Sequence, residues 1–220
     1  MTKISKPLPG LYKLLKSSNT ELQGVNNFSI PNNVTCYAVI RSKGGSGERH
    51  LINTLIDELP KNNKIFICYE NELEMKPNFI SKFYSKPIEK IISLSQDEIS
   101  ESVGGIINVN WRSQSEIDKL LKIIDNQTDD CILIFSAGTS SGTPVLDRIN
   151  CISSLCKNIF VSVDCLSENS LDTAKNLCQT EDIDWNKIRF GCWKKTYSNE
   201  TTQHLLTILD NEEIKSLSPP

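Results

Sequence analysis

With 220 residues, 38% of them hydrophobic and 23% charged, the chain falls in the globular range and can bury a core of its own, which excludes the disordered and fibrous classes. A net charge of −3 and a pI near 5.5 exclude a strong general attraction to phosphate backbones or anionic lipid, so any nucleic-acid contact must come from a local patch. The longest apolar runs, such as CILIF at Cys131–Phe135, are far shorter than the roughly 20 residues that span a bilayer. No integral membrane segment is expected, and since MTKISKPLPG lacks the apolar stretch of a signal peptide, the expected location is the cytoplasm.

Residues 1–33 mix Lys, Pro, Asn and Ser around one helical turn at LYKLLK (Leu11–Lys16) and read as an N-terminal extension. From Val34 the pattern changes. VTCYAVIR (Val34–Arg41) is β-branched and aromatic, a Gly-rich turn follows, and Leu51, Ile52, Leu55, Ile56 and Leu59 then recur at helical spacing until Pro60. KIFICY (Lys64–Tyr69) is the next apolar strand, so residues 34–69 have the length of a parallel crossover. If its two strands share a sheet, that crossover is right-handed.

The alternation continues with strands at KIISL (Lys90–Leu94), GIINVN (Gly105–Asn110), CILIFS (Cys131–Ser136), NIFVSV (Asn158–Val163) and IRFGC (Ile188–Cys192). Between and after them, helices are expected near Gln96–Val103, Ser113–Asp125, Glu168–Cys178 and Asn199–Leu209. Strands alternating with helices imply an α/β fold, a mostly parallel twisted sheet with helices on both faces. The expected domain covers 34–212, followed by a short tail at 213–220 ending in SLSPP.

Eight cysteines occur at 36, 68, 131, 151, 156, 165, 178 and 192, with no CxxC pair and no clustered histidines, so a metal site is not indicated. Cys36, Cys68, Cys131, Cys165 and Cys192 lie in or beside apolar runs, where a reduced cysteine behaves as a small buried hydrophobe. The two histidines, His50 and His204, flank no recognisable nucleophile elbow, which argues against Ser/His/Asp or Cys/His hydrolase chemistry. His204, within TTQHLLTIL, reads as a helix-surface residue.

The informative stretch is Arg41–Leu55, RSKGGSGERHLINTL. A glycine loop between a strand and a helix is an anion site, because glycines let backbone N–H groups converge and the helix N-terminus adds partial positive charge. Lys43, Gly44, Gly45, Ser46 and Gly47 have that context, and the alternative is a plain glycine turn. SKGGSG after a buried strand resembles the deviant Walker A loop of the ParA/MinD family of P-loop ATPases, which reads KGGxGK[ST]. Lys43 matches its signature lysine, which in that family reaches across a nucleotide-sandwich dimer, and Gly44, Gly45 and Gly47 match its glycines.

The next positions depart from the family. Glu48 stands where the phosphate-clamping lysine belongs, and Arg49 where the magnesium-binding hydroxyl belongs. A carboxylate facing a phosphate at about 4 Å costs roughly 4 kcal/mol at an effective dielectric near 20, where lysine would gain a similar amount. Arg49 and His50 are rotated from that position by about 100° per helical step. The family's acidic pair after the second strand has a counterpart in Glu70 and Glu72, which read equally well as loop residues. By strand order GIINVN is the best match to the metal-holding strand and offers Asn108 and Asn110 but no acid; the other register, through Cys131–Leu146, offers none either. Asp164 stands where the family often places an adenine-reading asparagine, and Ser167 or Asn169 can cap the following helix.

The resemblance, which covers roughly Val34 to Asp210, implies a fold kept and an ATPase lost or very slow. ATP or ADP would bind weakly or not at all, with magnesium only alongside a nucleotide. A protein partner is expected, in a homodimer or in a heterodimer with an active family member. Two rivals stand beside this reading: an active ATPase using Lys43, Arg49 and Glu70, and a non-specific DNA-binding module. The second draws on Lys187, Arg189, Lys194 and Lys195, which lie near Trp185 and Trp193 in the one basic and aromatic cluster. The same cluster also reads as a solvated edge.

Overall fold

The computed structural model describes residues 29–60, 62–69, 91–110, 113–136, 145–181, 183–198 and 201–218, with side chains described at all of them except 194–198 and 201–205. The helical turn expected at Leu11–Lys16, the acids Glu70 and Glu72, and residues 137–144 lie outside this set. The architecture is α/β, a largely parallel twisted sheet flanked by helices. The described residues fall into two compact units, one drawn from 29–39 and 60–159, the other from 40–59 and 160–218.

In the first unit the strands are most of β1 (Val34–Arg41), β2 (Lys64–Tyr69), β3 (Ile91–Ile92), β4 (Gly104–Asn108) and β5 (Cys131–Ser136). Their order is β3-β4-β2-β5-β1, and the neighbours pair in parallel, with Val34 opposite Cys131, Lys64 opposite Cys131 and Ile65 opposite Gly104. Strands covered on both faces should read as unbroken apolar runs. KIFICY and CILIFS do so, and Phe66, Ile67 and Phe135 are fully buried.

Among the described residues this unit has three helices: α2 (Gln96–Glu101), α3 (Gln114–Asp125) and α4 (Val145–Ile152), numbered after α1 (Glu48–Glu58) of the other unit. On α3, Ile117, Leu120, Leu121 and Ile124 recur at three- and four-residue spacing and are buried, each contributing roughly 1.5–3 kcal/mol. Its first turn is held by Glu116, whose carboxylate accepts from the Asn110 N–H at 2.8 Å. Asn33 fixes the start of β1: its Nδ2 donates to Gln127 O at 3.1 Å, and its carbonyl accepts from Cys131 N–H at 2.8 Å. Lys64 ties β2 to the same corner through Asp129 at 3.1 Å and Ser100 O at 3.0 Å.

The second unit takes the end of β1, α1, all but the first two residues of β6 (Asn158–Asp164), α5 (Glu168–Leu177), β7 (Ile188–Ser198), β8 (Thr201–Leu209) and α6 (Asn211–Ser216). The strand order runs from β1 to β6, β7 and β8. The helix expected over Asn199–Leu209 is instead β8, antiparallel to β7 from Phe190 opposite Leu209 to Ser198 opposite Thr201. Leu205, Leu206, Ile208 and Leu209 satisfy either spacing, but Thr201, Thr202, Thr207 and Ile208 are β-branched and favour the strand. His204 therefore stands on a strand, opposite Lys195.

Helix α6 begins inside the expected domain and runs into the expected tail. Asp210 caps it, accepting from the N–H groups of Glu212 and Glu213 at 3.0 and 2.9 Å, while Glu213 reaches back to the Asp210 N–H at 2.8 Å. Ile214 is fully buried, and Lys175 of α5 donates to the carbonyl of Leu217.

Candidate functional site

β1 runs out at Arg41, and the next residue keeps the chain beside β6, Ser42 N–H donating to Ser162 O at 3.0 Å. A turn follows in which Ser46 N–H donates to Lys43 O at 3.2 Å. Gly47, at φ 85 and ψ 17, then starts α1, accepting the first helical bond from Leu51 N–H at 3.1 Å. Only glycine fits there. Its φ is left-handed, and a Cβ on residue 47 would stand 2.5 Å from both Cδ1 and Nε1 of Trp193.

Two hydroxyl pairs fasten this loop to its neighbours. Ser46 Oγ lies 2.7 Å from Ser162 Oγ, both buried, and Ser42 Oγ lies 2.6 Å from Ser170 Oγ, which also accepts from the Asp164 N–H at 2.9 Å. Trp193 covers the Gly47 side, with the His50 ring centroid 5.5 Å away. Its Nε1 is buried with no acceptor among the described residues.

The residues singled out from sequence thus take different positions. Lys43, Gly44 and Gly45 are exposed, Arg49 is half-buried, and Ser46 and Glu48 are buried, at 2% and 8% exposure. The Glu48 carboxylate sits in the first turn of α1, where the positive end of the helix favours an acid by about 0.3–1 kcal/mol. A loop with its hydroxyl turned inward, its glycine packed under an indole and an acid in its helix is closed by the protein's own groups. Ser162, Ser170 and Trp193 were not legible as parts of this site, because no local pattern links them to residues 42–48.

The strand expected from order to hold a metal carboxylate is β4, yet β5 and β2 stand between it and β1. Three strand spacings put β4 roughly 14 Å from β1. On that side the strand beside β1 is β5, whose last residue, Ser136, is in register with Val39. Asp164, at the expected base-reading position, holds the turn into α5: its carboxylate accepts from Leu166 N–H and its carbonyl from Ser167 N–H, both at 3.0 Å. Ser167 takes the N-cap position of α5 without a side-chain capping bond.

In the basic and aromatic cluster, Arg189 is bound to its own backbone. Its Nη1 donates to Trp185 O at 3.1 Å and Ile188 O at 2.6 Å, closing the turn that leads into β7. Trp185 stacks on Phe190, with centroids 6.4 Å apart, and Trp193 belongs to the glycine loop. Lys187 is half-buried, and Lys194 and Lys195 are in register with Leu205 and His204.

A separate cleft of about 620 Å³ opens in the first unit at the carboxyl ends of β2, β3 and β4, lined among others by Tyr69, Ile92, Asn108, Glu98, Glu116 and Lys119. Ser93 holds Glu98 through its hydroxyl at 2.6 Å and its N–H at 2.9 Å, and these bonds lower the carboxyl pKa below its ordinary value. Among the described residues no three His, Cys, Asp or Glu side chains gather as a metal site, and no helix is long and apolar enough to cross a membrane. No protein-family model matches the chain, and no curated protein matches it.

Proposed function

We propose that this chain is a degenerate ParA/MinD-like protein whose P-loop-type domain binds partners and hydrolyses ATP slowly or not at all. It acts as a partner or regulator in DNA segregation or transfer, or in positioning a cellular machine, as a homodimer or paired with an active family member in the cytoplasm. The observation that carries this reading is the buried carboxylate of Glu48 in the first turn of α1, at the position of the phosphate-clamping lysine. The reversal of charge there removes several kcal/mol from any phosphate complex, which is orders of magnitude in affinity. The inward hydroxyl of Ser46 and the indole over Gly47 support the same conclusion, and this loop does not fit a magnesium-bound triphosphate.

Calorimetric titration with ATP and ADP, with and without magnesium, tests it, run on the natural protein and on Glu48→Lys. The expected result is weak or absent binding by the natural protein and tighter binding by the variant. Tight magnesium-dependent binding by the natural protein, followed by turnover that Lys43→Ala abolishes, would overturn it.

A further inference from the structure

We propose that Cys165 and Cys192 form a dithiol oxidation site that closes to an intramolecular disulfide, with a low-molecular-weight disulfide as the oxidant. Cys165 is the first residue after β6, and its N–H donates to Trp193 O at 3.1 Å, which sets it against the residue that follows Cys192 on β7. The Cys165 side chain is the first cause that raises the Cys192 thiol above its ordinary pKa, so the two side chains interact. Their accessibility differs in the way a two-step exchange requires: Cys165 is half-exposed, in a surface turn whose Leu166 is also exposed, and Cys192 is buried. Cys36 and Cys68, another pair in the sheet core, are both buried, and β5 separates their strands.

Cys165 is the sulfur that solvent and an oxidant reach, so it reacts first; the Cys165 side chain and then burial push the buried Cys192 thiol above its ordinary pKa. Its thiolate attacks one sulfur of the oxidant, forming a mixed disulfide and releasing one thiol. Cys192 then loses its proton and attacks Cys165 Sγ, expelling the second thiol. The two protein thiols give up two protons and two electrons, and the oxidant's S–S bond becomes two S–H groups. The sulfurs must close to about 2.05 Å for the bond to form. Because Cys192 precedes Trp193, the bond forms one residue from the indole that covers Gly47.

The test incubates the full chain in glutathione buffers of increasing oxidised fraction, blocks free thiols and maps tryptic peptides without reduction. The expected product is a cross-link between peptides 158–175 and 190–194 with a loss of about 2 Da, reversed by excess reduced glutathione. Cys165→Ser should abolish it, and Cys192→Ala should stop at glutathione bound to Cys165. A natural protein that stays fully reduced, stops at the mixed disulfide or cross-links a different pair overturns the proposal. The mapping of the natural chain decides the matter even if Cys192→Ala fails to fold.

Discussion

Trp193 and Gly47 are in contact across two strands of the second unit's sheet, the indole edge lying where a side chain on residue 47 would have to be. This contact makes the shape of the loop depend on a residue at the far end of the chain. It also gives a prediction with two separable parts. Gly47→Ala should destabilise the protein by about 2–5 kcal/mol, about 1–2 from a left-handed backbone and about 1–3 from overpacking the indole. Denaturant unfolding measures the sum, and Trp193→Leu in the same background should recover part of it. A fully additive double variant would show that the two residues do not touch.

Ser46 and Ser162 hydrogen-bond in a buried setting, so removing one partner strands the other. Ser46→Ala should cost about 1–3 kcal/mol, and the double variant with Ser162→Ala should cost less than the two single changes added together. A double-mutant cycle with no coupling would mean that the hydroxyls are satisfied in another way.

Glu98 is exposed, and its shift is local. Since Ser93 lowers its pKa through both hydroxyl and N–H, Ser93→Ala should raise it toward the ordinary carboxyl value by removing the hydroxyl contribution alone. Carbon-detected NMR titration of the Glu98 carboxyl reads this directly. The stabilising contribution is present above the unfolded pKa and is lost as pH falls through the lower folded value. An unchanged midpoint in the variant would count against the Ser93 bond.

At alkaline pH the sign reverses. Burial pushes the Cys36 thiol from 9.0 up to about 12, and burial, with the neighbouring Cys36 charge, pushes Tyr37 from 10.0 up to about 12. Both groups are protonated in the folded chain where the unfolded chain would already ionise. Their contribution is intact below pH 9 and is lost as pH rises toward about 12. Urea unfolding should therefore give a stability that falls between pH 9 and 11, with a shallower slope in Cys36→Ala; an identical slope would remove Cys36 from the account.

The fold was legible where one pattern excluded the others. VTCYAVIR, KIFICY, CILIFS and NIFVSVD are short, β-rich and apolar throughout, and each is a strand. TTQHLLTIL reads as a helix because paired leucines at 205 and 206 fit a helix face, and only the partner strand, in register from Phe190 opposite Leu209 to Ser198 opposite Thr201, decides between the two periods. Helix α4 was missed because Val145, Ile149 and Ile152 follow a glycine- and serine-rich stretch that masks the start of their periodicity. At the candidate site, the glycine loop and its misplaced acid were visible as a string of letters. Its serine fasteners and its indole cover were not, since β6, α5 and β7 bring them there through long-range contacts that no local window contains.

The position of β1 also has a consequence during synthesis. Val34 finds its partner at Cys131, about a hundred residues later, and Cys36 O accepts from Lys157 N–H at 2.8 Å later still, so the contacts of this strand are strongly non-local. On the ribosome, Val34–Ile40 emerges long before β5 and β6 exist to receive it. For that interval a run of apolar side chains is exposed and its ladder groups are paired only with water, open to pairing with other nascent chains. Slowing translation before Cys131 should therefore raise the aggregated fraction, whereas a pause after Asp164 should not.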